Sequence, residues 1–147
     1  MSSVSYEAWM QAQQSVLGSV LIDDRCASFL VFGLAEEDFC ESYRSLYRAI
    51  RELYTTGKPV DPVAVLNVVG DSYKDFIVQL MSIPPTAANC KMYVDIVKQQ
   101  SRVLKLRDTG LALSRISTEE EGAELLANAA SETVRDDGDV WSLAQGF

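Results

Sequence analysis

Apolar residues recur along this chain at the three- and four-residue steps of amphipathic helices, and no stretch alternates as a strand would. Trp9, Ala12, Val16, Leu17, Val20 and Leu21 predict a first helix from Tyr6 to Ile22. Gly18 lies inside it at a cost of about 1 kcal/mol relative to alanine, which close approach of a neighbouring helix would offset. Asp23 and Asp24 break the pattern, and either can cap a second short helix carrying Cys26, Phe29, Leu30 and Phe32 and ended by Gly33. The segment from Ala35 to Ser42 reads as a connector in which Phe39 enters the core while its acidic neighbours stay wet. Tyr43, Leu46, Tyr47, Ile50, Leu53 and Tyr54 then form one broad apolar face opposite Arg44, Arg48, Arg51 and Glu52. Thr55, Thr56 and Gly57 end that helix, Pro59 blocks a restart, and Asp61 followed by Pro62 opens the next, which Gly70 closes. A further short helix between Ser72 and Ile83 turns Phe76, Ile77, Leu80 and Met81 inward, and Pro84 and Pro85 stop it.

Beyond the prolines the pattern changes. Thr86 or Asn89 can cap a long helix over 88–117, in which Tyr93, Ile96 and Val97 sit close together as against a broad core. Val103, Leu106, Gly110, Leu113 and Ile116 or Ser117 then step by three and four like a narrow seam for one partner helix. Thr118 with Glu121 three residues on is a capping box, so a last helix is expected from Glu119 to Arg135. Its inward positions would be Gly122, Leu126, Ala129 or Ala130, and Thr133. The expected fold is all-α: a small helical globule over 1–97, followed by a long antiparallel helical hairpin over 98–136 that is continuous with the head through the helix 88–117. Residues 137–147 read as the start of an interdomain linker or tail, whose Trp141, Leu143 and Phe147 point to a continuation.

Composition narrows the chemistry. At 147 residues, 48% hydrophobic and 23% charged, the chain holds one core or a small domain with an appendage. A net charge of −8 and a pI near 4.5 work against gripping a phosphate backbone, and the basic set Lys98, Arg102, Lys105 and Arg107 reads first as a solvated helix face. The sequence has no histidine, so the commonest general base and metal ligand is absent. Thr55-Thr56-Gly57-Lys58 resembles the end of a phosphate-binding loop, but Glu52 and Pro59 stand where that motif needs glycine and Ser or Thr. Asp23 with Asp24, and Glu36, Glu37 and Asp38, read as caps and solvation rather than a metal site. Cys26, Cys40 and Cys90 lack paired spacing and read as small buried residues. No signal sequence or membrane-length apolar run is present, and a reducing, cytoplasmic setting is expected. Catalysis by this chain is not expected. What remains is surface: the hairpin either presents apolar edge to partners or folds back on the globule, and the pattern leaves both open.

Several stretches, in order, resemble the N-terminal domain of bacterial replicative DNA helicases of the DnaB family. Gln13-Gln14-Ser15-Val16-Leu17-Gly18, continuing to Leu21-Ile22-Asp23, is similar to the family's E-Q-x-V-L-G-x-x-L-x-D. Asp38-Phe39 and then Tyr43-Arg44-Ser45-Leu46-Tyr47-Arg48-Ala49-Ile50 resemble D-F-Y and H-R-x-I-F-x-A-I. Gly57-Lys58-Pro59-Val60-Asp61 resembles G-x-P-V-D, and Pro85-Thr86-Ala87-Ala88-Asn89 with Tyr93, Ile96 and Val97 resembles P-[ST]-A-A-N-x-x-x-Y-x-x-I-V. Gln11 and Gln13 stand where the family often has acids, Cys40 replaces a tyrosine and Tyr43 a histidine. The resemblance implies an all-α collar domain that assembles with itself as a dimer, or a hexamer in the parent protein, and is docked by primase and contacted by a helicase loader. It implies no cofactor here, since ATP and Mg belong to a motor domain that this sequence does not contain, and no direct contact with nucleic acid or membrane. Arg102, Val103, Leu106, Leu113, Ile116, Leu126 and Ala130 are the expected protein-interface residues. The alternative expectation is a free-standing phage or mobile-element regulator that mimics this domain to bind a host helicase, primase or loader.

Overall fold

A computed structural model of the protein describes residues 6–84 and 86–131, and every regular element among them is helical. α1 spans Tyr6–Ile22, α2 Ala27–Gly33, α3 Glu41–Thr55, α4 Pro62–Val69, α5 Lys74–Met81 and α6 Cys90–Leu113. Short 3-10 turns at Asp24–Cys26, Glu36–Asp38, Asp71–Tyr73 and Ala87–Asn89 lead into or between them. A further helix, α7, occupies 119–131. The expected Pro85, Thr133, Arg135 and the 137–147 tail lie outside the described residues. The chain divides into two compact units, Met1–Ser101 and Arg102–Phe147, and the division falls within α6.

Caps in the first unit follow the local chemistry of the sequence. Asp23, rather than Asp24, takes the cap before α2 and accepts the Arg25 amide at 3.0 Å. Its ion pair with the Arg25 guanidinium, 2.7 Å, holds the carboxyl below its ordinary range. Asp61 accepts the Ala64 amide at 2.8 Å with Pro62 in the first helical position, where a missing N–H costs nothing. Thr86, rather than Asn89, caps the turn before α6. Gly57 and Gly70 follow α3 and α4 at φ of 73° and 100°, a region that favours glycine.

The core of this unit is Val16, Leu17, Val20, Leu30, Phe39, Leu46, Tyr47, Ile50, Val65, Leu80 and Val97, all fully enclosed. Each such side chain contributes about 1.5–3 kcal/mol on burial. α1 packs chiefly on α5, and α3 on α4 and α2. The α1–α5 approach depends on Gly18. A β-carbon there would overlap the Leu80 carbonyl and stand 2.7 Å from Pro84 Cδ. α6 joins the core through Cys90, Val94, Val97 and Ser101, a buried stripe at steps of four, three and four.

One expectation changes here. Asp38 is buried rather than wet: its Oδ2 accepts the Ala35 amide at 2.8 Å and its Oδ1 accepts the Ser101 hydroxyl at 2.7 Å. Its main-chain carbonyl accepts the Trp9 indole N–H at 3.1 Å. Gln13 is also fully buried, with Oε1 accepting the Cys40 amide at 2.8 Å and Nε2 donating to the Trp9 carbonyl at 3.3 Å. An amide supplies both acceptor and donor at this site, and a carboxylate would supply only acceptors. Tyr43 stacks on Phe76 at 5.4 Å and takes a hydrogen bond from Gln14 at 2.8 Å, so this position also serves the interior.

Burial pushes the Tyr43 and Tyr47 hydroxyls above their ordinary 10.0 and the Cys26 and Cys90 thiols above their ordinary 9.0. The native state therefore keeps protons that the unfolded chain releases. Stability from these groups is fully present below about pH 9 and is lost as pH rises through the unfolded values toward the native ones. Urea midpoints are expected to hold between pH 7 and about 8.5 and to fall by pH 10. Replacing Cys26 and Cys90 with alanine should flatten the early part of that fall; an unchanged midpoint at pH 10 in the unsubstituted protein would contradict it.

Candidate protein-docking surface

The second unit is built from the rest of α6, a tight connection and α7. α6 ends at Leu113, four residues short of the expected Ser117. The Arg115 and Ile116 amides turn to carbonyls only three residues back, Ala112 at 3.0 Å and Leu113 at 3.4 Å, and the Ser114 hydroxyl bonds to the Leu111 carbonyl at 2.6 Å. These tighter rings exhaust the last carbonyls of α6 and release the chain into the turn. Thr118 then caps α7, its hydroxyl accepting the Glu121 amide at 3.2 Å. The Glu121 carboxylate reaches back to the Ser117 amide at 3.2 Å, one residue beyond the usual capping-box partner.

Gly122 is the point of closest approach. It is buried, and a β-carbon there would stand 2.9 Å from Ile116 Cδ1 and 3.8 Å from Leu113 Cδ2. Two expected interface residues, Leu113 and Ile116, are thus brought together over one small residue. The half-buried positions farther along α7 are Leu125 and Ala129, three and seven residues past Gly122. The expectation that Leu126 points inward is therefore replaced by Leu125, and Leu126 is 57% exposed. Along α6, Lys105, Thr109 and Ala112 are half-buried, whereas Leu106 is 51% exposed and Gly110 is open with nothing within 4 Å of a β-carbon. Val103 and Leu113 of the expected seam are half-buried as well, whereas Leu106 is left outward.

Arg102 and Val103 are half-buried and Ala130 is exposed. Ile116, beside Gly122, is still 37% exposed. Leu111, 53% exposed, is a surface apolar residue that the seam pattern does not include. It lies about 140° around α6 from Leu106 and shares a helix face with Leu104, two turns earlier. Among the described residues of this unit, the exposed large aliphatic side chains are thus Leu106, Leu111, Ile116 and Leu126.

Among the described residues there is no group of three His, Cys, Asp or Glu side chains that could hold a metal ion, and no helix is long and apolar enough to cross a membrane. A shallow groove of about 260 Å³ beside Glu121, Glu124, Leu125 and Asn128 is lined on one side by carboxylates. What this surface offers a partner is aliphatic area framed by charge, which suits protein recognition.

Comparison with known proteins agrees with this architecture. Residues 7–99 match the family model described as the DnaB-like helicase N terminal domain. The replicative DNA helicase DnaB of Leifsonia xyli is 29% identical over 131 residues, which cover 82% of this chain and 29% of that protein. The replicative DNA helicase DnaC of Bacillus subtilis is 26% identical over 134 residues, 85% of this chain and 30% of its own length. The crystal structure of the N-terminal domain of DnaB helicase from Mycobacterium tuberculosis superposes with a TM-score of 0.67 at 28% identity, covering 84% of this chain and 94% of that one. The chain spans less than a third of the length of these curated relatives, and the part it matches is the N-terminal domain, without the ATPase motor. On its helical architecture and on these likenesses, the chain belongs to the DnaB-like helicase N-terminal domain family.

Proposed function

We propose that this chain is the oligomerisation and protein-docking domain of a replicative DNA helicase and has no catalytic role of its own. The observation that carries the reading is the set of large aliphatic side chains that the second unit leaves exposed, above all Leu106 and Leu126. Its relatives carry the name replicative DNA helicase, which supports the same role. In this reading sister subunits, primase and a helicase loader contact Arg102, Val103, Leu106, Leu113, Ile116, Leu126 and Ala130, with Leu111 added. Val103 and Leu113 act mainly by packing the hairpin. The net charge of −8 works against a direct hold on DNA, and ATP and Mg would act only in a motor domain.

Sedimentation velocity and a binding assay with the cognate primase test this. Leu106→Glu combined with Leu126→Glu places charge on two exposed positions and is expected to leave helicity and melting temperature unchanged. Self-association or primase capture should weaken by about 10- to 100-fold, the effect of withdrawing one or two well-packed side chains from an interface. A wild-type chain that stays monomeric at the highest attainable concentration and binds no primase would sink the proposal.

A further inference from the structure

Cys26 closes the 3-10 turn that feeds α2, and Cys90 opens α6, yet the fold sets them side by side in the first unit. Both are buried. The Cys26 thiol donates to the Ala87 carbonyl at 3.6 Å, and Cys90 Sγ lies 4.0 Å from the Cys26 carbonyl oxygen. Neither is among the exposed residues of the second unit. Cys90 Sγ thus lies against the Cys26 main chain while the Cys26 thiol reaches the turn just before Cys90, a placement from which side-chain rotation can bring the two sulfurs to bonding distance.

We propose that Cys26 and Cys90 are a latent dithiol that closes to an intramolecular disulfide under a two-electron thiol oxidant, stapling the entry of α2 to the first turn of α6. With a diazene oxidant such as diamide, one thiolate adds to the N=N bond. The second thiolate then attacks the bound sulfur, the S–S bond forms and the S–N bond breaks. Two thiol protons and two electrons pass to the diazene, which leaves as the hydrazine. Burial keeps both thiols protonated at neutral pH, so closure is slow there and faster with rising pH or with local opening of α6. The bond would close a loop of more than sixty residues, where the entropic constraint on the unfolded chain is large.

The test uses the full chain with Cys40→Ser, which removes the partly exposed third thiol. After diamide at pH 8.5, the intact monomer mass is expected to fall by two hydrogens and to recover with dithiothreitol. The oxidised monomer should melt about 10 °C higher than the reduced one. With Cys26→Ser added, the two-hydrogen loss should vanish. The proposal is overturned if Cys40→Ser keeps two alkylatable thiols after native oxidation while the unfolded chain cross-links readily. It is equally overturned if only intermolecular dimers form, or if the cross-linked monomer melts no higher than the reduced protein.

Discussion

Gly18→Ala is expected to destabilise the first unit by about 3 kcal/mol and to lower its melting temperature by about 15 °C. Alanine is ordinarily the better helix former by about 1 kcal/mol, so the sign of this effect is diagnostic. The new methyl group would meet the Leu80 main-chain carbonyl and, at 2.7 Å, the Pro84 ring, neither of which can rotate away like the tip of a flexible side chain. α1 and α5 must then separate, which opens the packing around Leu17, Ile77 and Leu80. Gly110→Ala is the matched comparison, because that residue is also helical but faces open space. It should stabilise by about 1 kcal/mol. Urea denaturation followed by far-ultraviolet circular dichroism measures both. A Gly18→Ala protein as stable as the parent would mean that α1 and α5 do not approach this closely.

Gly18 also illustrates what the sequence makes legible. A glycine in the middle of a strongly periodic helix announces a close neighbour, and the neighbour is there. The same holds for Asp61-Pro62 as a helix start, for the wide face Tyr43, Leu46, Tyr47, Ile50 and Leu53, and for the Thr118 cap, since each is a local rule with one dominant outcome. Asp38 and Gln13 were not legible, because local composition marks an acidic or amide side chain as wet. Their partners, Ser101, Cys40 and Trp9, arrive only through tertiary contact. The motifs that carry the family resemblance turn out to be largely interior: Gly18, Phe39, Leu46, Tyr47, Ile50 and Val97 build the head. They explain why the fold is recognisable, and they specify nothing about a partner.

The proposed docking surface lies mostly outside that signal. The family model ends at residue 99, and every exposed aliphatic of the second unit comes after it. In a helical hairpin the difference between an inward and an outward residue is one position, about 100° of rotation, and apolarity alone does not fix it. The chain uses Lys105, Thr109 and Ala112 at half-buried positions while Leu106 faces out, and Leu125 rather than Leu126 on α7. A stripe read from hydrophobicity thus places Val103 and Leu113 correctly inward and misplaces Leu106 and Leu126. Gly122 lets the helices approach closely, and Leu106, Leu111 and Leu126 are left exposed.

Asp38→Ala is expected to cost about 3–4 kcal/mol, the second large effect. It removes the acceptor for the Ala35 amide and the Ser101 hydroxyl, both in enclosed surroundings, and a buried donor left without its partner costs about 1–3 kcal/mol. The Trp9 indole bond goes to the Asp38 main chain and survives the substitution, so α1 keeps that tether. The loss should therefore concentrate on α6. Its buried stripe of Cys90, Val94 and Val97 ends in Ser101, the last residue of the first unit, and the stripe's only polar member is the one that Asp38 holds. Ser101→Ala should cost less, about 1–2 kcal/mol, since Asp38 retains the Ala35 amide. The pair should also be strongly non-additive: once Asp38 is alanine, removing the Ser101 hydroxyl relieves an unpartnered group and costs little. Hydrogen exchange gives the spatial readout, with amides from Val97 to Ser101 exchanging faster in Asp38→Ala while those of α3 slow or quicken only with global stability. Additive costs in the double-mutant cycle, or exchange that rises equally in α3 and α6, would show that Asp38 supports the head at large and does not fasten α6 at Ser101.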